Sequence, residues 1–148
     1  MRLLPLEQRV VEDLARWYGP AGRRTYKAAV QAVSGWLGRL RDQLDRGQVG
    51  PEWRLCDAQP PLRLEGCWRV QFSPWDRAKR DGPVIPAPGP RDARIVGEVI
   101  MRENRPAFRV LAIGPKYAGR GSNRTQWVYR HADERRRHPY SPKGGGNR

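Results

Sequence analysis

The chain has 148 residues, with 29 Lys and Arg against 15 Asp and Glu and a formal charge of +14. That length suits one domain and excludes two, because each half would be short of core. A charge excess of this size favours nucleic acid, an acidic protein or an anionic membrane surface as partner, and residues 101–148, with twelve basic and three acidic residues, carry +9 of it.

The N-terminal segment has no sustained apolar run, so neither a secretory signal nor a membrane span is expected, and cytoplasmic residence follows as the default. Leu6, Val10, Leu14 and Trp17 or Tyr18 recur at helical spacing and predict a first amphipathic helix over 6–18. Gly19, Pro20, Ala21 and Gly22 break it. Ala29, Val33, Trp36 or Leu37, Leu40 and Leu44 rebuild an apolar stripe, predicting a second helix over 25–46 that Gly47 ends. Gly35 and Gly38 weaken that helix by roughly 1 kcal/mol each relative to Ala.

The period then changes to two. Leu62, Leu64, Trp68, Val70 and Phe72 alternate with Arg63, Glu65, Arg69 and Gln71, which predicts strand, a turn at Gly66, then strand. Cys56 and Cys67 are too few for a zinc cluster and read as partly buried, reduced thiols. The proline-rich stretch 73–93 predicts an exposed loop. Residues 94–101 and 107–113 predict neighbouring antiparallel strands joined through 102–106, the second apolar enough to be central. Thr125 is placed to cap a short helix reaching 137. The expected whole is α+β: two N-terminal helices on a small, mainly antiparallel sheet and a short C-terminal helix. It forms a single domain over 1–140, followed by a flexible basic tail over 141–148.

Four segments occur in an informative order: 65–72 (EGCWRVQF), 94–100 (RIVGEVI), 110–116 (VLAIGPK) and 128–132 (VYRHA). In that order they resemble the RelE/ParE-like toxin superfamily, across roughly residues 62–132. The long 73–93 insertion and the stretch 117–127 depart from the compact family pattern. The resemblance implies a metal-independent endoribonuclease in which an RNA 2′-hydroxyl attacks the adjacent phosphate, acting on free or ribosome-bound messenger RNA and neutralised by an acidic antitoxin. It implies that Arg94 contacts the reactive phosphate, that Lys116 supplies a basic position and that Tyr129 lies at the reaction centre.

Arg69 joins Arg94 as a planar clamp for phosphoryl oxygens, and His131 joins Tyr129 as a candidate for moving a proton, histidine being the residue type that exchanges one near neutral pH. No cofactor is required. Nucleic-acid contacts are expected from Arg109, Arg120, Arg124, Arg130, Arg135, Arg136 and Arg137, with Trp75 and Trp127 as stacking platforms. Each has a plainer reading. Arg69 and Arg94 suit solvated strand faces, Arg109 suits an acid partner across the sheet, Tyr129 suits the core and His131 an exposed helix face. Glu65, Glu98 and Glu103 form no carboxylate pair, which disfavours metal-dependent hydrolysis. The alternative function is a non-catalytic relative that binds DNA gyrase, DNA or RNA.

Overall fold

The computed structural model describes residues 1–56, 62–78, 84–117 and 126–142. Its elements are β1 (Arg2–Leu3), α1 (Gln8–Tyr18), a 3-10 turn (Gly19–Ala21), α2 (Arg23–Asp45), β2 (Arg54–Leu55), β3 (Cys67–Phe72), β4 (Arg77–Ala78), β5 (Val84–Ile85), β6 (Ala93–Arg102), β7 (Arg105–Pro115) and α3 (Trp127–Arg135). Five strands form one sheet in the order β1-β7-β6-β3-β2, and β4 pairs with β5 in a separate ribbon. All neighbours in the large sheet are antiparallel except β1 and β7, which run parallel. The α+β arrangement read from the sequence is therefore the observed one.

Alternation along the strands divides the molecule into two cores. Val70, Phe72, Ile95, Phe108, Val110 and Ile113 meet the apolar stripes of α1 and α2 on one face. On the other, Leu64, Cys67, Val96, Leu111 and Ala112 meet Trp127, Val128, Tyr129 and Ala132 of α3. The register shifts between Val96 and Gly97, where Val96 opposes Ala112 but Gly97 opposes Val110. The extra residue, Leu111, points to the same core as Ala112, as a β-bulge requires. Gly97 is needed here because a Cβ would run into the Phe108 ring and the Arg109 carbonyl.

Several boundaries differ from the expected ones. Leu62 and Leu64 precede the turn at Gly66 without a full strand, although Leu64 is buried. Most of the described residues of the 73–93 stretch are exposed, as its prolines suggest, but one buried side chain anchors them. Asp76 is buried and accepts from the Trp36 indole at 2.9 Å, from the Ser73 and Ala87 amides, and from both Arg91 guanidinium nitrogens at 3.0 and 2.9 Å. One carboxylate thus ties that segment to α2. Ser141, assigned to the tail, donates its amide to Glu7 at 3.0 Å. Thr125 and residues 143–148 lie outside the described residues. Among the described residues no helix is long and apolar enough to cross a membrane.

Candidate anion-binding face

α3 packs across β7 and β6. The rest of that sheet face, over β3 and β2, carries arginines. Arg54 and Arg69 are register partners, so both side chains leave the same side. Arg94 opposes Gln71, two residues along β3 from Arg69, and its side chain leaves the sheet on the same face. Tyr129 reaches down from α3 to this group. Burial pushes its hydroxyl pKa up, while the charges of Arg94 and Arg69 and a hydrogen bond with Arg94 act in the opposite direction. Arg69, Arg94 and Tyr129, three of the five residues expected to carry catalysis, therefore come together.

Their surroundings differ from those of the other buried arginine. Arg94 is 7 % exposed, and Nη1 donates to the Arg91 and Ala93 carbonyls at 2.6 and 3.0 Å. Its Nε is buried with no hydrogen-bond partner, and among the described residues Arg54, Arg69 and Arg94 have no carboxylate within ion-pair distance. Like charges facing each other across two strands repel, so this face is held together against its own field. Beside it, reaching round to the α2 side of the sheet, a crevice of about 350 Å³ is lined by Arg54, Arg69, Gln71, Arg91 and Glu52 together with Trp36, Val70 and Pro86. Glu52 is engaged by Arg39 at 2.6 Å and by Gln43 at 3.0 Å, and Arg91 by Asp76.

The remaining expected site residues are elsewhere. Lys116 follows β7, donating its amide to Asp92 at 2.8 Å, with its ammonium 5.1 Å from the Tyr117 ring centroid. His131 lies on another side of α3 from Tyr129, as two helical positions dictate. Its ring stacks on Trp127 at 3.9 Å and 24°, and Nδ1 is 3.0 Å from the Trp127 carbonyl. Tyr129 and His131 therefore do not share one reaction centre.

Arg109 is 2 % exposed and unable to reach a nucleic acid: it pairs with Glu7 at 3.1 Å and with Glu98, its cross-strand register partner, at 3.7 Å. Arg135 grips Asp13 with two bonds of 2.7 and 2.9 Å, and Arg136 pairs with Glu98 at 3.4 Å. Both act inside the protein instead of facing phosphate. Arg137 pairs with Asp133 one turn earlier but is largely exposed, Arg130 is exposed, and Trp75 is 52 % exposed. Trp127 is only 7 % exposed, set edge-on to Trp17 with centroids 4.8 Å apart, so it is a wall and not a free platform. Arg120 and Arg124 lie outside the described residues.

Sequence reasoning missed Arg54. Its signal lay in a two-residue strand too short to show a period, and only the register reveals that it faces Arg69. Taken together, the fold and this face define a basic α+β domain with a cationic crevice at the open end of its sheet. No family model, curated protein or solved structure matches the chain.

Proposed function

We propose that the protein binds RNA on the β2–β3–β6 face and cleaves it by attack of a 2′-hydroxyl on the adjacent phosphorus, as an endoribonuclease toxin. The observation that carries this reading is Arg94: a nearly buried guanidinium beside Arg69 and the Tyr129 hydroxyl that, among the described residues, has no carboxylate to neutralise it. The charge of this cluster is left open to a phosphate, met through Arg69, the more exposed of the two arginines, with Arg94 behind it. The order of the four toxin-like segments in the sequence supports the same reading.

In the reaction the 2′-oxygen to phosphorus bond forms and the bond from phosphorus to the 5′-oxygen breaks, leaving a cyclic phosphate and a 5′-hydroxyl. Arg69 and Arg94 stabilise the charge that gathers on the phosphoryl oxygens. Tyr129, whose raised pKa keeps its proton at neutral pH, donates a hydrogen bond and does not act as the base. The 2′-hydroxyl proton passes to water or hydroxide, and the departing 5′-oxygen takes one from water. An acidic antitoxin would neutralise the same face. Messenger RNA on the ribosome fits the scheme as well as free RNA does.

The test is incubation of the purified protein with RNA alone and with translating ribosomes, scoring 2′,3′-cyclic phosphate and 5′-hydroxyl ends. Arg69→Ala and Arg94→Gln should each lose about a hundredfold or more in rate, the scale of removing one charge-stabilising donor. Intact RNA in both settings overturns cleavage. A second reading is favoured by the separation of His131 from Arg94: binding of gyrase, DNA or RNA without chemistry. Inhibited supercoiling with uncut RNA selects its gyrase form.

A further inference from the structure

A second basic groove, of about 590 Å³, runs along the outer side of α3. Trp127, Arg130, His131 and Glu134 are spaced by three, one and three residues, so they share one helix face, and Arg137 continues it. Arg16 of α1 forms the opposite wall, its guanidinium 5.7 Å from the Trp127 ring and 5.9 Å from Trp17. None of these groups takes part in the cradle around Arg94.

The chemistry of the groove is specific. His131 lines the groove with one ring face held against Trp127, so the face turned away from the indole is the one left for a ligand. Arg16, Arg130 and Arg137 surround it with positive charge. Asp133, also on the wall, already accepts from the Arg63 amide at 2.9 Å and from Arg137 at 3.0 Å. Glu134 is exposed and has neither hydrogen-bond nor ion-pair partner among the described residues. Its two carboxylate oxygens are thus free acceptors beside a stacking surface and a phosphate-attracting rim.

We infer that this groove seats one nucleotide of single-stranded RNA with its base stacked on His131, and that Glu134 makes guanine the preferred base. Guanine alone among the four bases presents two adjacent donors, N1–H and the N2 amino group, on its Watson–Crick edge. A carboxylate can accept both, whereas cytosine, adenine and uracil each place an acceptor beside a single donor there. The inference rests on the RNA reading above and adds to it a base selector separate from the phosphate cradle.

The test is calorimetric titration of the intact protein with guanosine, adenosine, cytidine and uridine 5′-monophosphates. Guanosine monophosphate should bind about tenfold or more tightly than the other three. Glu134→Gln should erase that preference. His131→Ala should weaken guanosine monophosphate binding roughly tenfold, the scale of one lost base stack, while His131→Phe, which keeps a ring, should restore it. Thermal unfolding of each variant confirms that it folds, and the Phe variant keeps the test sound if the Ala variant does not. Equal affinities for all four nucleotides, no saturable binding, or a His131→Ala variant that folds and binds like the parent overturns the inference. Arg69→Ala separates it from the nuclease reading, because that variant should lose cleavage and keep its guanosine monophosphate affinity. Selective nucleotide binding with uncut RNA defeats the nuclease alone, and cut RNA with unselective binding defeats the base seat alone.

Discussion

Arg94 and Arg109 sit on adjacent strands with their side chains on one sheet face, both nearly buried, yet among the described residues only Arg109 has acids to neutralise it. That contrast distinguishes an arginine that stabilises the fold from one that is kept available. Replacing Tyr129 by Phe removes one hydroxyl from beside Arg94 and preserves the ring in its core contacts, so stability should change by no more than about 1–2 kcal/mol. RNA cleavage should fall at least tenfold, measured as initial rate on a short oligonucleotide. Because burial raises the Tyr129 pKa and His131 is elsewhere, the rate should climb about tenfold per pH unit between about pH 6 and pH 8, without a bell. A rate that levels off within this range, and no longer does so in His131→Ala, would show that a histidine does take the proton. At this scale the sequence was partly legible. Arg69, Arg94 and Tyr129 lay on segments whose type and order were readable, and they do meet. Arg109 had two readings, a nucleic-acid contact or the partner of an acid across the sheet, and the second holds with Glu98, whereas its other acid, Glu7, lies 102 residues away and left no signal.

α3 is held by charge as much as by its apolar side. Asp13 of α1 is buried, accepts the Ile113 amide from the outer edge of β7 at 3.1 Å and takes both Arg135 bonds, while Arg135 also donates to the Leu111 carbonyl at 3.0 Å. These side chains satisfy edge groups of β7 that β1, only two residues long, does not cover. Burial raises the Asp13 pKa, and the hydrogen bonds from Arg135 and Ile113 oppose that shift. Arg135→Ala should therefore destabilise the protein by about 3–5 kcal/mol, because the carboxylate is left buried and unpaired. Urea unfolding would show it, and a loss below about 1 kcal/mol would mean that the pair is not structural. Both long helices and strand β3 could be read from periodicity, and β6 and β7 from the length of their apolar runs. β1, β2, β4 and β5 have two residues each, too few for alternation to register, and they exist because a neighbour offers an edge or a ribbon partner.

For the whole molecule, acid and salt report on different features. Burial alone would raise the Asp76 pKa, but bonds from Arg91, Ala87, Trp36 and Ser73 outweigh it and hold the pKa below its ordinary value. A lowered carboxyl pKa contributes stability that is fully present above the unfolded value, near 4, and is lost as pH falls through the folded one. The penalty of Asp76→Asn in urea unfolding should thus be large at pH 7 and shrink below about pH 4, and a penalty independent of pH would refute this role. RNA affinity should fall with salt at a slope of roughly −2 to −3 in log–log form, as three or four phosphate contacts imply for a single strand. The parallel pairing of β1 with β7, Arg2 to Ala107 and Leu3 to Phe108, has a consequence for biosynthesis. During synthesis β3 and β6 reach the helices first, yet the part of their oily side that meets Phe108, Val110 and Ile113 stays open until β7 is translated. Closure of that core is therefore among the late events of folding, and the apolar surface left open until then is what a chaperone would be expected to meet.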